Sequence, residues 1–299
     1  MVVLVQTGDV RRSGLVFSPD GLVVTSAEAV SGADTAEVVI TSVGVFQATV
    51  IGRDELADLA VLRVPTGVAL PFVELTLPQG VAPGIAISSV GFSAEAILGN
   101  SAAVTSGGVV SIRTIGGVTY IQTDLAVDAG NGGGPIANNL GEVIGITTTE
   151  IERVLGQQVG GVGLAMLLSD VLDRLDNLVV GAHFYRPTPP GDLLPEGSSP
   201  PVPPFPNIFI GNVTINGATA PAGTQVYIRV GRYVSEWVTT RDGRYSFITV
   251  GPPSEVGFTG EPLIFYVNGF PIDEGLIFDP RQDEPIVTVD LDLVTGHTV

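Results

Sequence analysis

The sequence predicts an all-β protein of two domains, and three observations support that prediction. Short runs of β-branched residues recur along residues 1 to about 180, with turn residues between them. A Pro-rich segment then interrupts the pattern, and strand-like runs resume at Asn207. We therefore divide the chain into a first domain at residues 1–186, a linker at 187–206 and a second domain at 207–299.

The first domain is predicted to be antiparallel. The turn Ser18-Pro19-Asp20-Gly21 separates two strand-like runs and is typical of a tight hairpin. Strands joined in this way favour an antiparallel barrel or sandwich over a parallel α/β sheet. The predicted strands are Val2–Val5, Gly14–Phe17, Leu22–Thr25, Ala36–Ile40, Phe46–Gly52, Leu59–Val64 and Ile85–Val90. One helix is predicted near residue 170, with Ser169 as its N-cap.

Charge and composition exclude several classes of function. The chain has 13 basic and 31 acidic side chains, a net charge of −18, and contains no lysine and no cysteine. Electrostatic binding to nucleic acid or to an anionic membrane needs a basic surface, so neither is expected. The lack of cysteine removes disulfides, thiolate nucleophiles and Cys-ligated zinc. No apolar stretch reaches the about 18 residues that a membrane span needs, and residues 1–7 lack a signal-peptide pattern.

Three motifs stand in order along the first domain. The first runs from Ser13 to Val30, the second is Asp58–Leu62, and the third is Gly130-Asn131-Gly132-Gly133-Gly134-Pro135. In this order they resemble the trypsin-like serine proteases of the HtrA/Deg family. In that family the first motif carries the catalytic histidine and the second the catalytic aspartate. The third is the nucleophile loop, whose usual form is Gly-Asn-Ser-Gly-Gly-Pro.

The segments 141–146 and 161–166 continue the match, so the resemblance covers about residues 2–178. It implies a chymotrypsin-like fold of two six-stranded β-barrels with a cleft between them. It also implies that the protein works in the cell envelope or outside the cell.

The chain departs from this family at the residues that carry the chemistry. Glu28 stands at the histidine position and Gly132 at the serine position, so that only Asp58 of the triad is present. The chain's two histidines, His183 and His297, lie far from these motifs in the sequence. A triad needs a nucleophile, an imidazole beside it and a carboxylate that orients the imidazole. We therefore expect an inactive homologue of the serine endopeptidases; the rival hypothesis is an active serine endopeptidase.

Peptide binding does not require the missing side chains. The resemblance implies an oxyanion-hole-like pair of N–H groups at Gly130 and Gly132. It also implies strand addition of a peptide beside 146–149, with a pocket wall at 161–165. The candidate cleft residues are Thr147, Thr148, Gly163 and Leu164. The expected partner is an extended peptide or a protein, without any cofactor; the alternative is a vestigial cleft filled by the protein's own loops.

The resemblance also places Glu28 beside Asp58. Two carboxylates at close range raise the pKa of at least one of them or recruit a cation. A calcium site needs more oxygen ligands than this sequence pattern supplies, so no metal is predicted. We favour the simpler alternative in which the Glu28 side chain turns into solvent.

The second domain is also predicted to consist of strands. Its turn-rich motifs, 211–217, 221–226 and 239–247, resemble carboxypeptidase-regulatory-like and related Ig-like β-sandwiches. Its predicted strands are Ile208–Ile215, Gln225–Val230, Ser235–Thr240, Tyr245–Val250, Leu263–Val267 and Ile286–Leu293. Such domains are commonly spacers or adhesion modules, which leaves surface adhesion or carbohydrate binding as a third hypothesis. An aromatic platform for sugar would use Trp237, Tyr227, Tyr233 and Tyr245, although alternating aromatic residues in strands are more often core.

Overall fold

The chain forms two compact units, Met1–Gly181 and Ala182–Val299, with their division a few residues before the predicted end of the first domain. This computed structural model describes residues 1–41, 43–67, 69–92, 101–115, 117–125, 129–148, 163–188, 207–251, 258–279 and 286–295. Among these residues, no helix combines the length and the apolar character that crossing a membrane would require.

The first unit opens with a closed antiparallel barrel. Its strands are β1 (Val2–Thr7), β2 (Val10–Val16), β3 (Leu22–Thr25), β4 (Thr35–Ile40), β5 (Gly44–Asp54) and β6 (Leu59–Arg63). They pair in the order β1, β2, β3, β6, β5, β4, and β4 returns to β1. The predicted hairpin turn is confirmed, because the Gly21 N–H donates to the Ser18 carbonyl over 3.2 Å. Alternating valines fill the interior, which is why these runs are β-branched.

A second closed barrel follows. Its strands are β7 (Ala86–Gly91), β8 (Ala103–Ile115), β9 (Val118–Thr123), β10 (Pro135–Asn138), β11 (Val143–Thr148) and β12 (Gly163–Leu167). Around the barrel the order is β10, β11, β12, β9, β8, β7. Its core is built by seven buried residues: Ile87, Val109, Ile121, Leu125, Ile136, Ile144 and Ala165. The predicted chymotrypsin-like double barrel is therefore confirmed.

The helix α1 (Leu168–Leu178) directly follows β12. It buries Leu168, Val171, Leu175 and Leu178 against the first unit. The prediction of Ser169 as N-cap is wrong, because the helix begins one residue earlier and no side chain caps its first turn. The buried Leu168 fixes that start, since the chain must leave β12 and bury this side chain at once.

The second unit consists of two sheets around one core. Its strands are β13 (His183–Phe184), β14 (Asn207–Ile215), β15 (Ala218–Thr219), β16 (Gln225–Val230), β17 (Tyr233–Val234), β18 (Val238–Thr239), β19 (Arg244–Val250), β20 (Pro262–Val267), β21 (Phe270–Ile277), β22 (Ile286–Thr288) and β23 (Leu291–Leu293). In one sheet β14 pairs with β15, β19, β22 and β23. In the other, β16 pairs with β17, β18 and β20, and β20 pairs with β21. Both sheets contribute to a shared core, with Phe209 and Phe265 in edge-to-face contact.

Three sequence predictions for this unit need correction or comment. The predicted strand at 235–240 is wrong, because the segment holds only the two-residue strand β18, Val238–Thr239. The strand β21 was missed, because Pro271 and the acidic residues after it hide its alternation. The tyrosines of the considered sugar platform, Tyr227, Tyr233 and Tyr245, are all buried and therefore belong to the packing of the unit.

Candidate functional site

The three residues predicted to stand at the triad positions lie in turns next to strands of the first unit. Glu28 begins a single 3₁₀ turn, Glu28–Val30, that follows β3. Asp58 lies in the turn from β5 to β6. Gly132 follows a second 3₁₀ turn, Ala129–Asn131, and precedes β10. Glu28 and Asp58 thus come from the first barrel, and Gly132 comes from the second.

Asp58 is buried and hydrogen-bonded on both carboxylate oxygens. Only 2% of its surface is exposed. Its Oδ1 accepts the Glu28 N–H over 3.1 Å, and its Oδ2 accepts the Thr148 hydroxyl over 2.5 Å. A buried carboxylate needs such donors to compensate for lost hydration. Since Thr148 ends β11 of the second barrel, Asp58 joins the two barrels.

The turn before Asp58 is itself held by a carboxylate. Asp54 Oδ1 accepts the N–H groups of Leu56 and Ala57, each over 3.0 Å. Its other oxygen lies 3.4 Å from Nε of Arg174 on α1. These contacts support the left-handed backbone of Asp58, whose φ is +57°. Asp54 and Arg174 are therefore positioning residues that sequence reasoning missed, because their pairing depends on tertiary structure.

The Glu28 side chain forms an ion pair with Arg12. Arg12 Nη2 lies 2.5 Å from Oε1 and Arg12 Nε lies 3.3 Å from Oε2, which is a two-point contact. The Arg12 side chain is 10% exposed and the Glu28 side chain 39% exposed. Glu28 is thus partly exposed, as expected, but its carboxylate is also bound to Arg12, which the sequence analysis did not predict. The contact between Arg12 and Glu28, 16 residues apart, could not be inferred from sequence, although Arg12 directly precedes the first motif.

The glycine loop, Gly130–Gly134, is held from the first barrel by Ser13 on β2. The Ser13 N–H donates to the Gly132 carbonyl over 2.9 Å, and its hydroxyl donates to the Gly130 carbonyl over 2.8 Å. The same hydroxyl accepts the Phe92 N–H over 2.8 Å. Ser13 is fully buried, so these bonds form a fixed link between the barrels.

The strand β11 holds the other side of the glycine loop through Thr147. The Gly133 N–H donates to the Thr147 carbonyl, and the Thr147 N–H donates to the Gly134 carbonyl, both over 2.8 Å. The Thr147 hydroxyl shares its hydrogen between the carbonyls of Asn131 and Gly134. The side chains of Thr147 and Thr148 thus act inside the protein, and neither is presented to a ligand.

Glycine is required at position 133. Its φ is +80°, and a Cβ there would lie 2.4 Å from the Ser26 nitrogen and 2.5 Å from the Ser13 carbonyl oxygen. Both atoms belong to the backbone and cannot move aside locally. The close approach of the loop to β2 therefore depends on this residue type.

The remaining predicted binding residues lie on the neighbouring strand. Leu164 pairs with Thr148, and Gly163 precedes it at the start of β12. Leu164 is buried. The structure therefore brings Thr147, Thr148 and Leu164 onto adjacent strands. The other residues predicted for the cleft, 149 and 161–162, lie outside the described residues.

The described part of the chain holds no group of three or more His, Asp or Glu side chains arranged to bind a metal ion. One histidine, His183, belongs to the second unit, and His297 lies outside the described residues. Residues 1–181 contain no histidine in their sequence. The first unit therefore has no imidazole of its own that could act as a base beside Gly132.

Comparison with known proteins places this geometry in context. Residues 12–146 match the family model of the trypsin-like peptidase domain. The serine endoprotease DegS of Salmonella typhimurium is 28% identical over 227 residues, which cover 72% of this chain and 62% of that protein. The putative serine protease HhoB of Synechocystis is 33% identical over 185 residues, which cover 58% of this chain and 42% of that protein.

A mammalian relative is more similar over a shorter stretch. The mitochondrial serine protease HTRA2 of Bos taurus is 37% identical over 147 residues, which cover 46% of this chain and 31% of that protein. The chain thus spans less than two thirds of the length of the DegS relatives it matches. With its two closed barrels, the first unit has the fold that the sequence analysis expected, and its sequence is similar to the trypsin-like peptidase domain and to the DegS and HtrA serine proteases.

Proposed function

We propose that the first unit is a catalytically inactive trypsin-like domain. The observation that carries this proposal is the residue at the base position, a glutamate whose carboxylate is bound to Arg12. Position 132 is glycine, which offers no nucleophile. Loss of the triad side chains costs roughly 10⁶ in kcat and leaves about 10³–10⁴ over the reaction in water. The catalytic rate that remains is too small for a working peptidase.

We further propose that the unit binds an extended peptide or protein segment between its barrels. Strand addition uses backbone hydrogen bonds and side-chain pockets, neither of which needs a nucleophile. Ser13 and Thr147 hold the glycine loop from both sides, which supports a preformed receptor. By resemblance to the HtrA/Deg proteins, we propose that this takes place in the cell envelope or outside the cell.

Activity is tested with a fluorophosphonate probe and with casein. The wild-type chain should show neither labelling nor hydrolysis. The double variant Glu28→His with Gly132→Ser should gain measurable hydrolysis, while Glu28→His alone should remain inert as its matched control. Labelling of the wild-type chain at any serine, together with casein hydrolysis that the probe abolishes, would refute inactivity.

Binding is tested separately, by hydrogen–deuterium exchange of the full chain with and without excess casein. Protection is expected in β11 (Val143–Thr148) and β12 (Gly163–Leu167), whose backbone would border an added strand. Protection confined to 207–295 would instead support the adhesion hypothesis and contradict a peptide site in the first unit. Because this readout does not involve catalysis, it remains informative whatever the labelling experiment shows.

A further inference from the structure

The ion pair between Arg12 and Glu28 is made by immediate neighbours of the residues that form the proposed peptide site. The Glu28 N–H and the Thr148 hydroxyl bind the two oxygens of one carboxylate, that of Asp58. Thr148 is the last residue of β11, whose backbone an added peptide strand would border. Arg12 directly precedes Ser13 on β2, and Ser13 holds the glycine loop.

The two partners of this ion pair differ in their exposure. The Glu28 side chain is 39% exposed, whereas the Arg12 side chain is 10% exposed. Arg12 is also anchored from a second side, because its Nη1 donates to the Arg11 carbonyl over 2.8 Å. The carboxylate is therefore the part of the pair that solvent reaches, and it is the part that a ligand in the site would meet.

A carboxylate that binds one arginine can bind a second cation as well. An ionised carboxylate has about four acceptor positions on its two oxygens. Arg12 donates to one position on each, from Nη2 to Oε1 and from Nε to Oε2. A lysine ammonium or an arginine guanidinium of a ligand can therefore be accepted on the solvent side of the Glu28 carboxylate.

The charge balance of the first unit favours a cationic ligand. Acidic side chains outnumber basic ones by more than two to one in residues 1–181. Besides Arg12, three arginines of the unit already lie 3.2–3.8 Å from its own carboxylates: Arg53, Arg63 and Arg174. Such a unit attracts cations over a distance and repels anions. Within the site, the two donors to Asp58 named above are uncharged and do not cancel its negative charge.

We propose that the peptide bound by the first unit is basic, and that one of its lysine or arginine side chains contacts the Glu28 carboxylate. This inference rests on the proposed peptide site and names the class of ligand that the site would take. An acidic peptide would meet a carboxylate of its own sign, and a neutral peptide would gain nothing from it. Glu28 thus acts as a receptor for a cation at the position where a triad would have an imidazole.

The first test compares three peptides on the full chain by fluorescence anisotropy. The probes are short labelled peptides in which valine alternates with lysine, with glutamine or with glutamate. The lysine peptide should bind most tightly and the glutamate peptide most weakly, and added NaCl should weaken the lysine peptide most. The net charge of −18 favours the same order at any surface, so variants must locate the effect.

Three variants locate it. Glu28→Gln should weaken the lysine peptide about fivefold, as loss of one partly exposed ion pair does, and should leave the glutamine peptide unchanged. Glu37→Gln removes the same charge from an exposed residue of β4 and is the matched control, which should change neither affinity. Arg12→Gln should strengthen the lysine peptide, because it removes the positive charge that competes for the Glu28 carboxylate.

The opposite effects of Glu28→Gln and Arg12→Gln separate recognition from a structural role. If both variants weaken the lysine peptide, the ion pair only shapes the site and the proposal is wrong. Equal losses for Glu28→Gln and Glu37→Gln would also overturn it, because the overall charge would then cause the preference.

A separate pair of outcomes distinguishes this inference from the function on which it rests. Equal affinity of the wild-type chain for the lysine and glutamine peptides would refute the contact with Glu28 and leave the peptide site in place. Failure of every peptide to bind, with no protection of β11 and β12 from deuterium exchange, would contradict the peptide site and this inference with it.

Discussion

The Glu28 N–H donates to Asp58 Oδ1 over 3.1 Å, while the carboxylate of the same residue binds Arg12. Residue 28 therefore serves Asp58 through its backbone and Arg12 through its side chain. This division explains how the aspartate position stays ordered without an imidazole beside it. It also means that rebuilding a histidine at position 28 would release Arg12 from its counter-ion.

Removal of the Glu28 carboxylate should destabilise the first unit. Glu28→Ala leaves the mostly buried Arg12 guanidinium without its partner, and we expect a loss of about 1–3 kcal/mol in the free energy of unfolding. The measurement is urea unfolding followed by far-UV circular dichroism, with fluorescence of Trp237 reporting the second unit as an internal reference. The matched control is Arg63→Ala, which breaks an exposed pair with Asp20 and should cost about 0–1 kcal/mol. Equal losses for the two variants would show that the Arg12 pair is worth no more than a surface contact.

Asp58 should tolerate asparagine far better than alanine. Asparagine keeps an oxygen for the Glu28 N–H, places its amide toward the Thr148 hydroxyl, and accepts a φ of +57°. Alanine removes the acceptor of both bonds and strains the backbone, so we expect it to cost about 2–3 kcal/mol more than asparagine. The same urea titration measures this difference.

Thr148 supplies the control for the Asp58 variants. Thr148→Val should cost clearly less in the Asp58→Ala background than in the wild-type chain, because the bond it removes is already broken. Additive effects of the two changes would argue that the Thr148 hydroxyl contributes nothing through Asp58.

Alanine substitutions at two glycines with the same φ distinguish the cost of a steric clash from the cost of the left-handed backbone alone. Gly133 and Gly141 both have φ of +80°, but only at Gly133 would a Cβ meet backbone atoms within 4 Å. Gly141→Ala should therefore cost about 1–2 kcal/mol, the penalty of the left-handed conformation alone. Gly133→Ala should cost several kcal/mol or prevent folding, as measured by urea unfolding and by the yield of soluble protein. Similar stabilities for the two variants would contradict the tight packing of the glycine loop on β2.

The second unit should lose stability in alkali. Burial, and then the negative charges of Asp290 and Glu274, raise the pKa of Tyr245 well above its ordinary value. A phenol whose pKa is higher in the folded chain stabilises fully below its unfolded pKa of about 10, and this contribution is lost as the pH rises toward the folded pKa. Unfolding of the second unit, followed by Trp237 fluorescence, should therefore become easier above about pH 10.

Tyr245→Phe provides the control for this pH dependence. The free energy of unfolding of the variant should be lower by about 1 kcal/mol at neutral pH. The reason is that the Val289 carbonyl loses the Tyr245 hydroxyl that donates to it over 2.8 Å. Its stability should fall less steeply in alkali. If stability falls with pH as steeply in the variant as in the wild-type chain, groups other than Tyr245 cause the loss of stability in alkali.

The fold was predictable because its signals are local. Runs such as Leu22–Thr25 carry their strand preference in β-branched residues, and the Ser18–Gly21 turn carries its own hairpin chemistry. The assignment of Glu28, Asp58 and Gly132 to the triad positions rests on motif order and stays a prediction. The strand β21 escaped detection because its Pro, Asp, Glu and Gly residues mimic a loop, and only pairing with β20 makes it a strand.

The contacts within the site were not predictable in the same way. Arg12 and Glu28 are 16 residues apart, and Ser13 and Gly130 are 117 residues apart. Each pair depends on how the strand β2 lies against a turn that is distant in the sequence, and no local sequence pattern predicts that placement. The residues predicted to stand at the triad positions come from sequence alone, and sequence could not show which contacts those residues make.

The hydrogen bonds of Ser13 bear on which substitutions the glycine loop can accept during evolution. They fix the glycine loop from the neighbouring barrel, and they do so through carbonyl groups that every residue type possesses. Main-chain carbonyls and the Ser13 side chain thus hold the shape of the loop together. A change of side chain at position 132 leaves these bonds in place, because they use main-chain carbonyls, and the loop can therefore keep its course whichever residue stands there.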